Sequence, residues 1–296
     1  MTASITLAAG PLRLVVDPEI GGGISSFDWV DGRTLPVLHS GSSHGPSPLH
    51  MASFPLVPFV NRVRGGGFSF RGKQVRLSPN LTGDISPIHG QGWLAPWTVD
   101  SANEREANLT FRHPAGEWPW EYESRQRLSL DDRGLSYRLR CGNLSDSPMP
   151  CGLGIHPYFP CGPETRLDTR VEYSWTIDEH VLPVDKVPAE GVLSLSNRLV
   201  CGQKLDHGFG GWGGHARISD RSWPFAIEFA SPTAKFFQLY SPAEGGFVAA
   251  EPVTHANTAM NAPEEQWPEL GFEVVEPGNE MVLDVRIDVI AVQQSG

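Results

Sequence analysis

Leu135-Ser136-Tyr137-Arg138-Leu139-Arg140-Cys141 is the segment whose pattern decides the fold class. Apolar and polar residues alternate in it without a break, and this period of two is typical of a β-strand with one buried face. The segment Tyr122 to Leu130 precedes it, and the turn-rich tetrapeptide Asp131-Asp132-Arg133-Gly134 lies between the two. Two strand-like segments joined by a short turn predict an antiparallel hairpin.

The same β pattern recurs along the chain. Phe68-Ser69-Phe70 and Gln74-Val75-Arg76-Leu77 flank Arg71-Gly72-Lys73 and predict a second hairpin. Near the C-terminal end, apolar Leu283, Val285 and Ile287 alternate with charged residues, while Phe236 to Tyr240 indicates a more fully buried strand. No twelve-residue stretch has helical periodicity. The expected fold is therefore all-β, an antiparallel sandwich or barrel with little helix.

The composition of the chain limits the number of domains and the kinds of partner that can be expected. The 296 residues show no linker or shift in composition, and large β-sandwiches reach this size as one unit, so a single domain over 1–296 is expected. The formal charge is −11, from 23 basic and 34 acidic residues, and no run of lysines and arginines occurs. A nucleic-acid partner is not expected. The sequence leaves open whether the protein is a monomer or a homodimer.

Cysteine usage and apolar runs point to a compartment. Cys141, Cys151, Cys161 and Cys201 form no C-x-x-C pair, and their spacing fits no zinc pattern. No apolar run is long enough to span a membrane, and the first residues do not resemble a secretory signal. We therefore predict a cytoplasmic protein with reduced thiols and no membrane association.

Three polar islands in apolar surroundings suggest acid–base chemistry. They are Gly154-Ile155-His156-Pro157-Tyr158-Phe159-Pro160, Ile88-His89-Gly90-Gln91-Gly92-Trp93 and Glu251-Pro252-Val253-Thr254-His255. Histidine titrates near neutral pH, and burial raises the pKa of a glutamate toward the same range. Two histidines and one carboxylate are thus candidates for a general acid and a general base. No metal, nucleotide or thiol motif competes with this interpretation, so no cofactor is expected.

Two further residues are candidates for binding an oxygen-rich ligand. Arg62 follows the apolar run Phe54 to Val60, and its planar guanidinium can donate several hydrogen bonds. Asp206 offers a carboxylate in a glycine-rich segment. Trp93, Phe159 and Trp212 are candidate aromatic walls, although aromatic residues more often belong to the core.

The order and spacing of five segments of the chain resemble those of a known family, the aldose 1-epimerases, also called galactose mutarotases. The resemblance runs from about residue 5 to residue 290 and is closest to a shorter bacterial branch. The matching segments are Phe54-Pro55-Leu56-Val57-Pro58-Phe59-Val60-Asn61-Arg62-Val63, Ile88-His89-Gly90-Gln91-Gly92-Trp93, His156-Pro157-Tyr158-Phe159, Leu205-Asp206-His207-Gly208-Phe209 and Glu251-Pro252-Val253-Thr254-His255.

The resemblance implies a large antiparallel β-sandwich with its site on a concave face and a free monosaccharide as substrate. Matched by motif, Glu251 corresponds to the general base, His156 to the general acid and His89 to a second histidine that assists. Arg62 and Asp206 correspond to residues that bind sugar hydroxyls. The implied mechanism has Glu251 lying across the site from His156.

Departures from the family pattern leave alternatives open. The segment Pro79 to Asp84 replaces an asparagine-rich loop of the longer mutarotases, and His255 is either an extra contact or a capping or surface histidine. A hexose-6-phosphate 1-epimerase is the nearest rival, and it would need a cluster of arginines around the mouth of the site. A non-catalytic sugar-binding or sensor domain on the same sandwich is a rival from another class.

Overall fold

Strands make up most of the regular structure, as the alternating pattern predicts. The computed structural model describes residues 3–40 and 47–292. Its strands are, in chain order, β1 (Ile5–Ala9), β2 (Leu12–Asp17), β3 (Gly23–Asp31), β4 (Arg33–Leu38), β5 (Pro55–Leu56), β6 (Gly67–Phe70), β7 (Lys73–Arg76), β8 (Thr98–Ala102), β9 (Glu106–His113), β10 (Tyr122–Leu130), β11 (Gly134–Asn143), β12 (Met149–Cys151), β13 (Gly154–Ile155), β14 (Tyr158–Pro160), β15 (Arg166–Thr169), β16 (Tyr173–Ile177), β17 (Pro183–Pro188), β18 (Arg198–Leu199), β19 (Leu205–Gly210), β20 (His215–Ser219), β21 (Phe225–Ala230), β22 (Phe236–Ser241), β23 (Phe247–Val253), β24 (Glu273–Val275) and β25 (Glu280–Ala291).

Helix is confined to short pieces. The α-helical segment α1 (Trp267–Leu270) is one turn long and ends at Gly271, whose φ of 75° is in the left-handed region that glycine favours. The 3₁₀ turns are Pro48–His50, Arg64–Gly66, Gly92–Leu94, Gly191–Leu193, Ala259–Asn261 and Glu264–Gln266. Within residues 3–40 and 47–292, no helix has the length and apolarity needed to cross a membrane.

Two large sheets dominate the architecture. Nine strands lie in the order β18-β15-β20-β21-β25-β11-β10-β9-β8, and all the neighbouring pairs are antiparallel. An eight-stranded sheet has the order β17-β16-β19-β22-β23-β13-β5, with β14 also paired to β23. Four N-terminal strands form a smaller sheet, and the pairs β6-β7 and β12-β24 are two-stranded. This arrangement confirms the predicted all-β antiparallel sandwich.

The segment from which the fold was predicted is at the centre of the nine-stranded sheet. Strands β10 and β11 pair from Tyr122 opposite Asn143 to Leu130 opposite Leu135, as the predicted hairpin requires. The predicted hairpin around Arg71-Gly72-Lys73 is also confirmed, with β7 beginning at Lys73. Side chains from both large sheets share one apolar core, in which Phe229 of β21 stacks on Phe159 of β14 at 5.3 Å between ring centroids.

Strand alternation in the eight-stranded sheet separates the core from a second face. In β22, Phe237 and Leu239 belong to the core shared by the two large sheets, whereas Gln238 and Tyr240 point the other way into a cavity. In β23, Val248 and Ala250 belong to that core, while Phe247 and Glu251 line the cavity. The period of two along each strand thus places polar side chains on the face opposite the core.

The prediction that all thiols are reduced is wrong for one pair. Cys161 and Cys201 form a disulfide with their Cα atoms 5.5 Å apart, while Cys141 and Cys151 are free and buried. The paired cysteines are 40 residues apart in sequence, so no local spacing reveals that the fold brings them together. The argument from reduced thiols to a cytoplasmic location therefore loses its basis, and the location stays a prediction.

Candidate active site

All six residues predicted from the sequence line one cavity of about 580 Å³ on the eight-stranded sheet. It is formed mainly by the segments on both sides of β5, the 3₁₀ turn Pro48–His50, the 3₁₀ turn Gly92–Leu94 with the loop before it, and strands β14, β19, β22 and β23. Its lining residues are His39, Leu49, His50, Phe54, Asn61, Arg62, Leu81, Ile88, His89, Trp93, His156, Tyr158, Asp206, Gln238, Tyr240, Phe247 and Glu251. Among the residues that the structure describes, no group of three or more His, Cys, Asp or Glu is placed to hold a metal ion.

Glu251 and His156 are in direct contact. His156 Nε2 lies 3.3 Å from Glu251 Oε1, and the two side chains are 11% and 2% exposed. The sequence interpretation had Glu251 lying across the site from His156, so the contact corrects that geometry. The two residues come together because β23 runs antiparallel to β13 and β14, which enclose His156.

Burial shifts the pKa values of this pair in opposite directions. Desolvation raises the pKa of Glu251 well above its usual range; the nearby charge of Asp206 raises it further, and that of Arg62 partly offsets this. Desolvation also lowers the pKa of His156 to about 3. Glu251 Oε2 is buried and has no hydrogen-bond partner among the described residues. A polar group left in this state is available to a ligand that donates a hydrogen bond.

The ring of His156 is fixed by its neighbours. Its backbone N–H donates to the Phe54 carbonyl at 3.0 Å, and Pro157 restricts its backbone to extended conformations. Its ring stacks on Phe54 with centroids 4.6 Å apart, and Tyr158 lies at the same distance in a tilted arrangement. The aromatic neighbours predicted from the sequence therefore orient this side chain.

His89 is held in a defined tautomer by Asn61. The backbone N–H of His89 donates to the Asn61 carbonyl at 3.0 Å, and the backbone N–H of Asn61 donates to the ring nitrogen Nδ1 of His89 at 3.2 Å. Because Nδ1 accepts a hydrogen bond, the neutral ring carries its proton on Nε2. Burial, with smaller contributions from His156 and Arg62, holds the pKa of His89 well below its usual value. His89 is thus a neutral hydrogen-bond donor at the cavity.

The backbone around His89 requires unusual conformations. His89 has a φ of 62° and Asn61 a φ of 53°, both in the left-handed region, where asparagine and histidine are more frequent than most residues. Gly90 follows with a φ of 70°, and a Cβ atom there would lie 2.1 Å from the Val57 carbonyl oxygen. Only glycine fits this close approach of two backbones.

Asp206 belongs to a buried chain of polar groups that the sequence interpretation missed in part. Gln238 Nε2 donates to Asp206 Oδ1 at 2.6 Å, and Gln238 Oε1 accepts from Asn61 Nδ2 at 3.4 Å. Gln238 is also directly opposite Glu251 in the pairing of β22 with β23. Burial raises the pKa of Asp206, and the Arg62 charge and the Gln238 hydrogen bond partly offset this rise. A signal for Gln238 existed, since it is a polar residue inside an otherwise buried strand.

Arg62 reaches the cavity from a rigid support. Its backbone N–H donates to Asn257 Oδ1 at 3.0 Å, and its Nε donates to Asp84 Oδ2 at 2.7 Å. Asp84 Oδ1 in turn accepts from the Ser86 N–H at 2.9 Å. Asp84 was not predicted as a site residue, because the pattern of its loop does not reveal which residues it contacts.

The aromatic walls are only partly those expected. Trp93 lines the cavity but is almost fully buried, stacking on Phe54 at 5.4 Å. Phe159 and Trp212 are core residues that do not line the cavity, so their expected role is wrong. Phe159 lies on the core face of β14, and Trp212 packs into the core from the segment between β19 and β20. The walls also include Tyr158, Tyr240 and Phe247, which project from the other face.

His255 is neither a surface histidine nor a cavity residue. It is buried, its Nε2 accepts from the Val60 N–H at 3.0 Å, and its Nδ1 lies 2.8 Å from the Ala256 carbonyl oxygen, to which it donates. Desolvation lowers its pKa to about 4, so the ring is neutral at pH 7. It connects the end of β23 to the backbone that leads into Asn61 and Arg62.

Comparison with known proteins agrees with the fold described above. The aldose 1-epimerase family model matches residues 3–288, and the chain belongs to that family. YphB of Escherichia coli K12, an uncharacterized protein, is 34% identical over 270 residues, which cover 88% of this chain and 90% of that protein.

Solved structures extend the comparison. A crystal structure of an Escherichia coli K12 protein, described as a candidate aldose 1-epimerase, has a TM-score of 0.87 and 28% identity, with 98% of this chain and 99% of that chain covered. Galactose 1-epimerase from Lactobacillus acidophilus NCFM has a TM-score of 0.77 and 18% identity, with 98% and 95% covered. The second likeness shows a shared fold.

Proposed function

We propose that the protein is an aldose 1-epimerase that interconverts the α and β anomers of a free aldose by acid–base-catalysed ring opening and closure. The contact of 3.3 Å between His156 Nε2 and Glu251 Oε1 on the wall of the cavity carries this proposal. It supplies a proton donor and a proton acceptor side by side, each shielded from water. Family membership supports the same chemistry.

The reaction needs one proton removed and one delivered. Glu251 takes the proton of the anomeric hydroxyl while His156 donates a proton to the ring oxygen, and the C1–O5 bond breaks. Both oxygens are bonded to C1, so two side chains in contact can serve both. After rotation about C1–C2, the ring closes on the other face of C1 with the proton transfers reversed. Each positioned acid or base typically contributes about 10²–10⁴ in rate.

The pair holds the proton that this mechanism requires. Burial keeps the pKa of Glu251 high and that of His156 low, so one mobile proton resides on Glu251 in the free protein. Its transfer through the 3.3 Å contact gives the carboxylate base and the imidazolium acid. Around them, the Arg62 guanidinium, the Asp206 carboxylate and the Nε2–H of His89 are donors and acceptors for sugar hydroxyls.

Anomer interconversion tests the proposal directly. Polarimetry on freshly dissolved α-D-glucose and α-D-galactose should show rates above the spontaneous one, and Glu251→Gln or His156→Gln should lower kcat by roughly 10²–10⁴. His215 and Glu228 are a matched pair, 3.4 Å apart and more exposed, on β20 and β21 of the nine-stranded sheet. His215→Gln and Glu228→Gln should leave the rate unchanged. Spontaneous rates with every free sugar would refute the proposal.

The cavity gives less support to the two alternative functions, a hexose-6-phosphate 1-epimerase and a non-catalytic sugar-binding domain. Arg62 is the one arginine or lysine among the described residues that line it, whereas Arg64 and Arg71 form ion pairs with Asp178 and Glu264 away from the cavity. A cluster of arginines for a sugar phosphate is therefore not formed by the described lining residues. Sugar binding without turnover would favour the sensor alternative over catalysis.

A further inference from the structure

The cavity is larger than a free hexose needs. At the share of volume that water takes, about 30 Å³ per non-hydrogen atom, the twelve such atoms of a hexose fill at most about 360 Å³. The cavity measures about 580 Å³. The remaining space is enough for a phosphate or carboxylate substituent, so size does not exclude a sugar that carries one. Any discrimination between neutral and anionic sugars must come from charge.

Among the described residues, carboxyl groups outnumber cationic side chains in and beside the cavity. Asp206 and Glu251 line the cavity with carboxyl groups. Arg62 lines it with a guanidinium, whose positive charge would attract an anionic substituent of the sugar. That positive charge is already paired, since Arg62 Nε and Asp84 Oδ2 are 2.7 Å apart with both side chains less than 15% exposed. Asp84 is not one of the residues that line the cavity, so it pairs with Arg62 without itself being part of the cavity wall.

Both members of this ion pair are held in place independently. The Arg62 backbone donates to Asn257, and the second carboxylate oxygen of Asp84 accepts from the Ser86 N–H. The field of Asp84 also reaches the sugar-binding region. Burial is the main cause of the raised pKa of Asp206, and the negative charge of Asp84 adds to the rise.

We propose that Asp84 is a positioning and specificity residue that makes this site select uncharged aldoses over sugars bearing phosphate or carboxylate groups. It holds the guanidinium of Arg62 through Nε, which orients the remaining N–H donors, and it offsets the positive charge that would attract an anion. The inference rests on the proposed function, because it concerns which sugars that reaction accepts. Between partly buried groups, one unit charge a few ångströms away changes affinity by roughly tenfold or more.

The test compares Asp84→Asn with the wild type on glucose and glucose 6-phosphate. Asparagine removes the charge and keeps one oxygen that can accept from Arg62 Nε, while its amide nitrogen takes the place of the oxygen that accepts from the Ser86 N–H. NMR exchange between anomers at equilibrium gives kcat and KM for both sugars, and tryptophan fluorescence gives Kd. We expect KM and Kd for glucose 6-phosphate to fall roughly tenfold relative to those for glucose.

Two further variants separate charge from other effects. Asp284→Asn removes the same charge from an ion pair on the nine-stranded sheet, in which Asp284 lies 2.6 Å from Arg138. It should not change the ratio of KM, or of Kd, for glucose 6-phosphate to that for glucose. Asp84→Ala removes both the charge and the acceptor for Nε. It should shift the ratio in the same direction as Asp84→Asn and also raise KM for glucose, since Arg62 is no longer oriented.

The outcomes distinguish this inference from the proposed function. An unchanged ratio in Asp84→Asn, an equal loss for both sugars, or a wild type that prefers glucose 6-phosphate would each overturn the role of Asp84, even with turnover of free sugars intact. If the wild type turns over neither of these sugars nor any other free aldose, the proposed function fails and the Kd ratio decides the role of Asp84. A wild type that binds no sugar, free or phosphorylated, overturns both.

Discussion

Glu251 and His156 obtain their chemical roles from burial more than from their partners. Desolvation is the main cause of both shifts, raising the pKa of the carboxyl group and lowering that of the imidazole to about 3. An exposed Glu–His pair near its usual pKa values would hold its single mobile proton only between about pH 4.3 and 6.5. The buried pair holds one proton from about pH 3 up to the raised pKa of Glu251, so its working range extends to lower pH than that of an exposed pair, and the carboxyl group rather than the imidazole sets its upper limit.

This widened range predicts the pH dependence of catalysis. A second proton binds only near the lowered pKa of His156, so kcat/KM should show no decline centred near pH 6.5 as the pH falls to about 4.5. On the basic side it should decline only as pH passes the raised pKa of Glu251. Polarimetry corrected for the spontaneous rate measures this profile, with circular dichroism at each pH to show that the fold is intact. An acid limb centred near pH 6.5 in the folded protein would contradict the prediction.

At the scale of single elements, strands were predictable and their loop partners were not. The alternation of β11 and β25 gave the correct buried faces, because a period of two is a local property of a strand. The contact between Arg62 and Asp84 joins two irregular segments, and the Cys161–Cys201 bond joins residues 40 apart. Neither depends on a local period, so neither could be derived from the sequence.

Gln238 and His255 show how much of a residue's position and hydrogen bonding can be predicted from its type alone. Gln238 occupies a buried strand, and its amide pairs with Asp206 and Asn61, which a polar residue in an apolar strand should have suggested. The sequence predicts that His255 is a capping or surface histidine or an extra contact in the site, but the fold buries it against Gly152. Its neutral ring needs two backbone partners, and these partners are known only once the fold is known.

The packing of Gly152 against His255 leads to a prediction about the element that supports Arg62. A Cβ atom on Gly152 would lie 2.0 Å from His255 Cδ2, so Gly152→Ala must displace the ring from the Val60 N–H. Overpacking of this kind typically costs about 1–3 kcal/mol. Urea unfolding should therefore show a lower midpoint for Gly152→Ala.

Gly116→Ala is the matched control for this substitution. The nearest atom to a Cβ there is the Pro114 carbonyl oxygen at 4.0 Å, so no clash arises. Its unfolding free energy should stay within about 0.5 kcal/mol of the wild type. If Gly152→Ala is equally harmless, His255 does not hold this region as described.

The two faces of the eight-stranded sheet have different roles in the molecule. One face of the eight-stranded sheet packs in the core shared with the nine-stranded sheet, and the other carries the cavity. The disulfide joins the end of β14 in the eight-stranded sheet to the segment between β18 of the nine-stranded sheet and β19. Cys161 directly follows β14, which carries Tyr158, and Cys201 precedes β19, which carries Asp206. One covalent bond thus connects the chain near two strands that contribute residues to the cavity.

Removal of this disulfide should destabilise the whole fold. In the chain-entropy account, a bond that closes a loop of about 40 residues lowers the entropy of the unfolded chain and stabilises the native state by up to about 4 kcal/mol. Under non-reducing conditions, Cys161→Ser/Cys201→Ser should therefore unfold at a lower denaturant concentration than the wild type. A reductant should lower the midpoint of the wild type and leave that of the double variant unchanged, because Cys141 and Cys151 are already free thiols. Equal midpoints and slopes for the oxidised wild type and the double variant would show that the bond does not constrain the unfolded chain.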